Sequence, residues 1–396
     1  HPLLNEAFTR AARQTSYAPV LGLPALRHAI ADYLNRMRDL NISPEFVAVA
    51  PGSKPLLYAL LQVLQGDVLL PSPSWVSYAP QARLANRRVY LVEADPRDHH
   101  RLSRESLAAA LVEARREGAD PRILVVNTPS NPTGGMFSRE DSQAIATWAR
   151  EEGITLISDE IYAELAHGWR EHNSPARFYP EGCIVTGGLS KAFSAGGWRL
   201  GYAAIPTGEA GKRLMSSLSA LASEIWSSAS TPVMQAAITA YSANDELTTY
   251  VQASARLHGH VAFRLYETLL ALGIDCPRPA GAFYLYPDFA PFRDALQQRG
   301  ITTSDQLARH LIDAWGIATL PGTAFGEQPE ALRLRLATSM LFLSDPPQKR
   351  EDQDQALWAM LEQAAFWSNG NTSELELPML KQVQERFAEF VESLGN

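Results

Sequence analysis

A single lysine, Lys191, stands in the stretch Gly187-Gly188-Leu189-Ser190-Lys191-Ala192-Phe193-Ser194-Ala195-Gly196-Gly197-Trp198-Arg199. It follows the apolar run Cys183-Ile184-Val185-Thr186 and precedes Arg199 by eight residues. Surface lysines usually have polar, helix-forming neighbours, whereas these are apolar or small, so the surroundings of Lys191 are expected to be largely buried. Burying an amine costs on the order of several kcal/mol unless it is paired or neutralised. Two solutions are open. One is an ion pair at a strand end. The other is a covalent bond from the amine to an aldehyde, which a desolvated lysine with a depressed pKa forms readily.

Other groups could serve the second solution. Asp159, in Ser158-Asp159-Glu160-Ile161-Tyr162, ends a strand-like run, where a half-buried carboxylate needs a cationic partner. Asn127-Thr-Pro-Ser-Asn131-Pro-Thr-Gly134 follows another strand and, taken alone, reads as a turn rich in proline and glycine. Gly52-Ser53-Lys54 lies between a strand and a helix, where free amides can receive an anion, although any strand-turn-helix could carry such a triplet. Arg199 offers a guanidinium fork to a phosphate. In Leu332-Arg333-Leu334-Arg335-Leu336-Ala337 charges alternate with leucines, so both arginines share one strand face.

The elements that must position these groups follow from periodicity. Helices are expected from the first residues toward Tyr17, over Leu23 to Leu34, Lys54 to Leu64, Ser103 to Arg116 and Arg139 to Glu152. Short apolar strands are expected at Phe46 to Ala50, Asp67 to Leu70, Val89 to Val92, Ile123 to Asn127, Ile154 to Ser158 and Ile184 to Gly187. This alternation argues for a mostly parallel sheet covered by helices, with catalytic loops at the C-terminal strand ends. After Pro206 the pattern is helical to about Leu272. A smaller α+β unit then begins, with strands at Phe283 to Pro287, Ile317 to Leu320 and Leu332 to Ala337. The organisation read from this is an N-terminal segment (1–22), a large domain (23–272), a small domain (273–368) and a C-terminal extension (369–396). The extension opens with a turn at Asn369-Gly370-Asn371 and continues as an amphipathic helix.

Composition sets outer bounds. The chain has 396 residues, 46% of them hydrophobic and 20% charged, enough for a large core and a second, smaller one. A net charge of −8 gives no basic footprint, which argues against nucleic acid or an anionic membrane as partner. Two well-separated cysteines, Cys183 and Cys276, support neither a disulfide framework nor a metal site and fit a reducing cytoplasm.

Taken in order, the motifs resemble those of the fold type I pyridoxal-phosphate (PLP) enzymes in their class I/II aminotransferase form, and the resemblance spans residues 17 to 339. It implies that Lys191 forms a Schiff base with the cofactor. It implies also that Asp159 pairs with the pyridine nitrogen, that Asn131 and Tyr162 bond the phenolic oxygen, and that Trp75 stacks on the ring. Gly52, Ser53, Lys54, Ser190 and Arg199 hold the phosphate. Tyr17 reaches the phosphate of the neighbouring subunit, which makes the enzyme a homodimer with a shared active site. Arg333, four residues before Ala337, binds the substrate α-carboxylate together with Asn131, and Arg335 is a structural neighbour. Where the family often has a serine three residues before the lysine, this chain has Gly188, so one phosphate hydrogen bond is expected to be missing. The family also carries an arm ahead of residue 1, whose substrate contacts stay open.

The activity implied is transfer of an amino group between an amino acid and a 2-oxo acid by ping-pong kinetics. The same residues could serve a lyase, cyclase or oxidase, because the cofactor supplies the electron sink in each. A sensor or structural relic is the alternative outside catalysis, and retention of Lys191, Asp159 and Arg333 together argues against it. In relatives the region matching Ser219 to Ser230 contributes side-chain contacts across the dimer interface; there Glu224 is expected to disfavour a dicarboxylic donor such as aspartate and attract a cationic one, and Trp226 to suit a large apolar side chain, whereas the alternative for Glu224 is an ordinary helix-surface acid.

Overall fold

The computed structural model describes residues 1–168, 171–343, 350–367 and 375–395. Seven strands form the main sheet: β1 (Val47–Ala50), β2 (Asp67–Ser72), β3 (Val89–Glu93), β4 (Pro121–Asn127), β5 (Thr155–Asp159), β6 (Cys183–Gly188) and β7 (Gly201–Ala204). Their spatial order is β1-β7-β6-β5-β4-β2-β3. The neighbours from β6 through β3 pair in parallel, whereas β7 runs antiparallel to both β6 and β1.

Because side chains alternate across a strand, each strand feeds two cores. Val47, Val49, Leu124, Val126, Leu156 and Val185 enter one. Ala48, Ala50, Ile123, Val125, Ile157 and Ile184 enter the other. Burial on both faces explains why these strands read as continuous apolar runs. The first core is closed by Pro24–Arg38, Arg104–Arg116, Arg139–Glu152 and Thr231–Tyr241, and the second by Ser53–Val63 and Glu209–Ile225. Local chemistry fixes several helix ends. Ser138 and Asp141 form a capping box at the start of Arg139–Glu152, and Gly153 ends that helix in the left-handed conformation.

A second, three-stranded antiparallel sheet has the order β8-β10-β9, with β8 at Tyr284–Leu285, β9 at Leu320–Pro321 and β10 at Leu334–Ala337. Its core takes in Leu285, Phe289, Leu311, Leu334 and Leu336, together with Leu380, Phe387, Phe390 and Leu394 of the terminal helix Pro378–Gly395. That helix therefore packs on its own chain. The 27-residue helix Asp245–Ala271 contributes Leu247 and Val251 to a core of the main sheet and Val261, Leu265 and Leu269 to the core of the small one.

Two expectations are corrected. The opening helix stops at Ala11: Arg13-Gln14-Thr15-Ser16 offers no apolar stripe, and the residue before Pro19 is disfavoured in a helix. Strand β7 was not expected, because Gly201-Tyr-Ala-Ala204 reads as a continuation of the glycine-rich loop. The expected turn at Asn369 to Asn371 lies outside the described residues.

Candidate active site

Asn127, Asp159 and Thr186 sit side by side at the C-terminal ends of β4, β5 and β6, because Asn127 registers with Asp159 and Asp159 with Thr186. A cavity of about 350 Å³ opens beside them. Its wall includes Ser53, Lys54, Trp75, Asn131, Asp159, Tyr162, Ser190, Lys191 and Arg199 from the sequence reading. It also includes Tyr78, Asn127, Tyr284 and Arg335.

Asp159 is buried, and its carboxylate accepts from Tyr78 Oη at 2.8 Å, Thr186 Oγ1 at 3.2 Å and the Ile161 amide at 3.4 Å. All three donors are neutral. Burial raises its pKa to about 6, against the opposing pull of those hydrogen bonds. The Lys191 amine lies 5.7 Å from the ring centres of Tyr162 and Phe283. Burial, followed by the nearby positive charges of Arg199 and Arg335, lowers its pKa, and Asp159 opposes the shift. The Tyr162 and Tyr284 hydroxyls are 2.8 Å apart, and burial raises the pKa of both phenols. Asn127 holds the next loop in place: its Nδ2 donates to the Asp159 carbonyl at 2.7 Å, and its Oδ1 accepts from the Asn131 amide at 2.7 Å.

Gly52 adopts φ +105°, and a Cβ there would stand 2.6 Å from Nη2 of Arg199. Only glycine lets the arginine lie against the start of the helix Ser53–Val63. Lys54 places its Nζ 4.9 Å from the Trp75 ring centre. At Gly188, a Cβ would meet the Leu200 carbonyl oxygen at 2.6 Å, so the strand pairing that forms β7 also excludes a serine there.

Arg335 on β10 and Arg333 just before it have different surroundings. Arg333 is engaged by Asp288 (Nε to Oδ2, 2.8 Å) and Glu327 (Nη1 to Oε1, 2.7 Å), and it does not line the cavity. Arg333, which the sequence pattern pointed toward the substrate carboxylate, thus stands off this cavity wall. Its charge is matched inside the chain, and Arg335 takes the place on the wall. Arg335 lies between Tyr284 and Phe325, 4.9 Å and 5.3 Å from their ring centres, and donates through Nη1 to Asn131 Oδ1 at 3.2 Å. Its Nε is buried without a hydrogen-bond partner. Tyr17 is 91% exposed and lies off the cavity. Glu224 is exposed, and neither it nor Trp226 lines the cavity.

Tyr78, Asn127, Thr186 and Tyr284 were missed by sequence reading. Tyr78 had a usable signal, standing one helical turn beyond Trp75. The others enter through strand register or from the small sheet, which no local pattern encodes.

The donor set fits PLP. A carboxylate bonded only by neutral donors suits a protonated pyridine nitrogen. The cradle at Gly52 and Arg199 suits a phosphate, and a lysine amine with a lowered pKa suits an aldehyde. Sheet, cavity and donor set together define a PLP-dependent enzyme. The chain belongs to the aminotransferase class I and II family, whose model matches residues 5–340.

The chain is 35% identical over 340 residues to an aspartate aminotransferase of Bacillus sp. (strain YM-2), covering 84% of this chain and 82% of that one. It is 34% identical over 344 residues to an aspartate/prephenate aminotransferase of Thermus thermophilus, covering 85% and 83%. Among solved structures, the aspartate aminotransferase of Thermus thermophilus with maleate superposes with a TM-score of 0.79 at 31% identity, covering 98% of this chain and 87% of that one. An aromatic aminotransferase of Pyrococcus horikoshii gives 0.80 at 25% identity, covering 98% and 92%. The protein is a PLP-dependent aminotransferase, and the lyase, cyclase and oxidase readings are not favoured.

Proposed function

We propose that Lys191 holds the cofactor covalently through its amine, as a Schiff base, and serves as the proton carrier of a ping-pong transamination between an L-amino acid and a 2-oxo acid. The observation that carries this reading is the pairing of a lysine amine of lowered pKa with a buried carboxylate bonded only by neutral donors. When bound, PLP supplies the sink for the electron pair left as the substrate Cα loses its proton.

Each residue then has a defined task. Asp159 keeps a proton on the ring nitrogen, and Trp75 covers one ring face. Asn131 and Tyr162 fix the phenolic edge. Ser53, Ser190 and Arg199, with the first amides after Gly52, hold the phosphate. Arg335 presents its guanidinium to the α-carboxylate from the cavity wall and so directs the Cα–H bond toward Lys191. The lowered pKa of Lys191 favours the neutral amine once it is released, and that amine would accept the Cα proton and return it two atoms along, beyond the substrate nitrogen.

The exposure of Tyr17 and the family pattern support a homodimer in which this tyrosine reaches the neighbouring phosphate. A cytoplasmic location is supported by the two buried free cysteines. No helix among the described residues is long and apolar enough to cross a membrane. The names of the relatives support a dicarboxylic donor such as aspartate. The expected repulsion of a dicarboxylic donor by Glu224, which would act across the dimer interface, is checked by comparing aspartate turnover in wild type and Glu224→Ala.

The test is the visible absorption spectrum of the protein loaded with PLP, before and after single amino acids, beside Lys191→Ala. A band that needs Lys191 and bleaches with an amino acid supports the reading. Loss of Lys191 dependence overturns it.

A further inference from the structure

Asp159 is followed by a second buried carboxylate, Glu160, whose side chain is fully enclosed. Consecutive strand residues point to opposite faces, so Asp159 faces the cavity and Glu160 faces away from it. Glu160 Oε2 lies 2.8 Å from Arg38 Nε, and Oε1 accepts from Ser158 Oγ at 3.0 Å and Ser174 Oγ at 2.5 Å. Arg38, itself 2% exposed at the side chain, extends Nη2 to Glu164 Oε1 at 2.6 Å. The same Glu164 oxygen accepts from Tyr33 Oη at 3.0 Å.

His172 lies between this group and the neighbouring loop; burial lowers its pKa to about 3, so the ring is neutral, and its Nδ1 is buried without a hydrogen-bond partner. Its Nδ1 is 3.8 Å from Glu160 Oε2, and its Nε2 is 3.0 Å from the Thr128 carbonyl oxygen. Thr128 opens the turn that carries Asn131, and its amide donates to the Asp159 carbonyl at 3.2 Å. The enclosed charges are therefore bonded to the end of β5 through Ser158, and His172 packs between them and the loop 127–131.

Stability is a weak explanation for such a group, because a well-packed apolar cluster of the same volume holds a fold as well or better. The Arg38 Nε–Glu160 Oε2 contact is ionic without hydrogen-bond geometry; direction, which an apolar contact lacks, comes from the hydroxyls of Ser158 and Ser174 that donate to Oε1. We infer that Glu160, held by Ser158, Ser174 and the charge of Arg38, is a positioning residue: it fixes the orientation of the backbone that aims Asp159 and so sets the tilt of the cofactor ring. This inference rests on the proposed reading of Asp159.

The test compares PLP-loaded wild type, Glu160→Gln and Arg38→Lys by visible absorption, visible circular dichroism, thermal midpoint and steady-state kinetics. Glu160→Gln keeps the size but turns an amide toward Arg38. Arg38→Lys keeps the charge but can reach only one of the two carboxylates. Glu160→Gln is expected to load PLP normally, lose half or more of the visible dichroism and drop kcat by about tenfold, with KM within about threefold. Arg38→Lys is expected to fall between it and wild type.

Dichroism and kcat within twofold of wild type in Glu160→Gln overturn the inference, as does a lowered thermal midpoint with unchanged dichroism. If Glu160→Gln does not fold, Arg38→Lys decides by the same two readings. Absence of a Lys191-dependent band in wild type fails the proposed function instead, so the two failures are told apart.

Discussion

Asp159 and Glu160 are adjacent carboxylates, both buried, yet only Glu160 is given a cation. At β10 the contrast repeats with the sign reversed: Arg333 is held by two carboxylates, whereas Arg335 is held by aromatic faces and an amide oxygen. In each pair the group whose charge is matched within the chain supports the fold. The unmatched one faces the cavity and is left for a ligand. Lys191, between two positive charges, belongs with the unmatched groups.

The sharpest way to break this comparison is to remove an unmatched group. Lys191→Ala is expected to abolish the visible band and lower turnover by roughly 10³-fold or more, the scale of losing a positioned proton carrier. Asp159→Asn is expected to lower kcat by on the order of 10²-fold, as for the loss of one preorganised electrostatic partner.

Asp159→Asn should also stabilise the cofactor-free protein. Folded Asp159 keeps its proton to about pH 6, whereas an unfolded aspartate loses it near a pKa of about 3.9. The folded state therefore binds more protons between those values, and wild-type stability falls as pH rises through that window. The advantage of Asp159→Asn in urea unfolding is expected to be absent near pH 4 and to reach on the order of 2–3 kcal/mol at pH 8. A constant difference across pH would sink this account of Asp159.

The arginines give the cleanest separation. Arg335→Ala is expected to raise KM for the amino acid about 10- to 100-fold with little change in thermal midpoint, from loss of charge-assisted bonds of about 1.5–3 kcal/mol. Arg333→Ala should do the reverse, costing about 1–3 kcal/mol of stability by leaving Asp288 and Glu327 unpaired, while KM stays near wild type. Exchanged phenotypes would restore Arg333 as the carboxylate ligand.

Gly52→Ala is expected to weaken PLP binding by roughly tenfold, measured by titrating the cofactor-free protein, since a residue forced into that conformation costs about 1–3 kcal/mol. Tyr78→Phe removes one neutral donor from Asp159, worth about 1 kcal/mol. A loss of roughly fivefold in kcat is expected, the smallest effect of the set.

The main sheet was legible in the sequence because its strands are buried on both faces and its helices carry caps, as at Ser138. The lysine loop was legible because an amine among apolar residues is costly enough to demand a reason. What escaped the sequence depends on distance along the chain. Strand β7 is only four residues long, three of them glycine or alanine, and is held by pairing with β6 and β1. Thr186 and Asn127 reach Asp159 only by strand register. Arg333 and Arg335 share a face and a residue type, so alternation could not separate them. Asp288 and Glu327, which decide the matter, lie 45 and 6 residues away from Arg333.

The helix Asp245–Ala271 runs about 40 Å at 1.5 Å per residue and is embedded in one core at each end. Near its start, Tyr250 donates to Ser194 Oγ at 3.1 Å, within the lysine loop. Beyond its middle it enters the core under β10, which carries Arg335. The lysine loop and the sheet that carries Arg335 thus pack on one helix, which is also buried between them through Ala253, Ala255 and Leu257. Gly259 lies in the same stretch, with His167 atoms 3.2 Å from where its Cβ would be. Two walls of the cavity therefore share a support that contributes no group to the cavity itself.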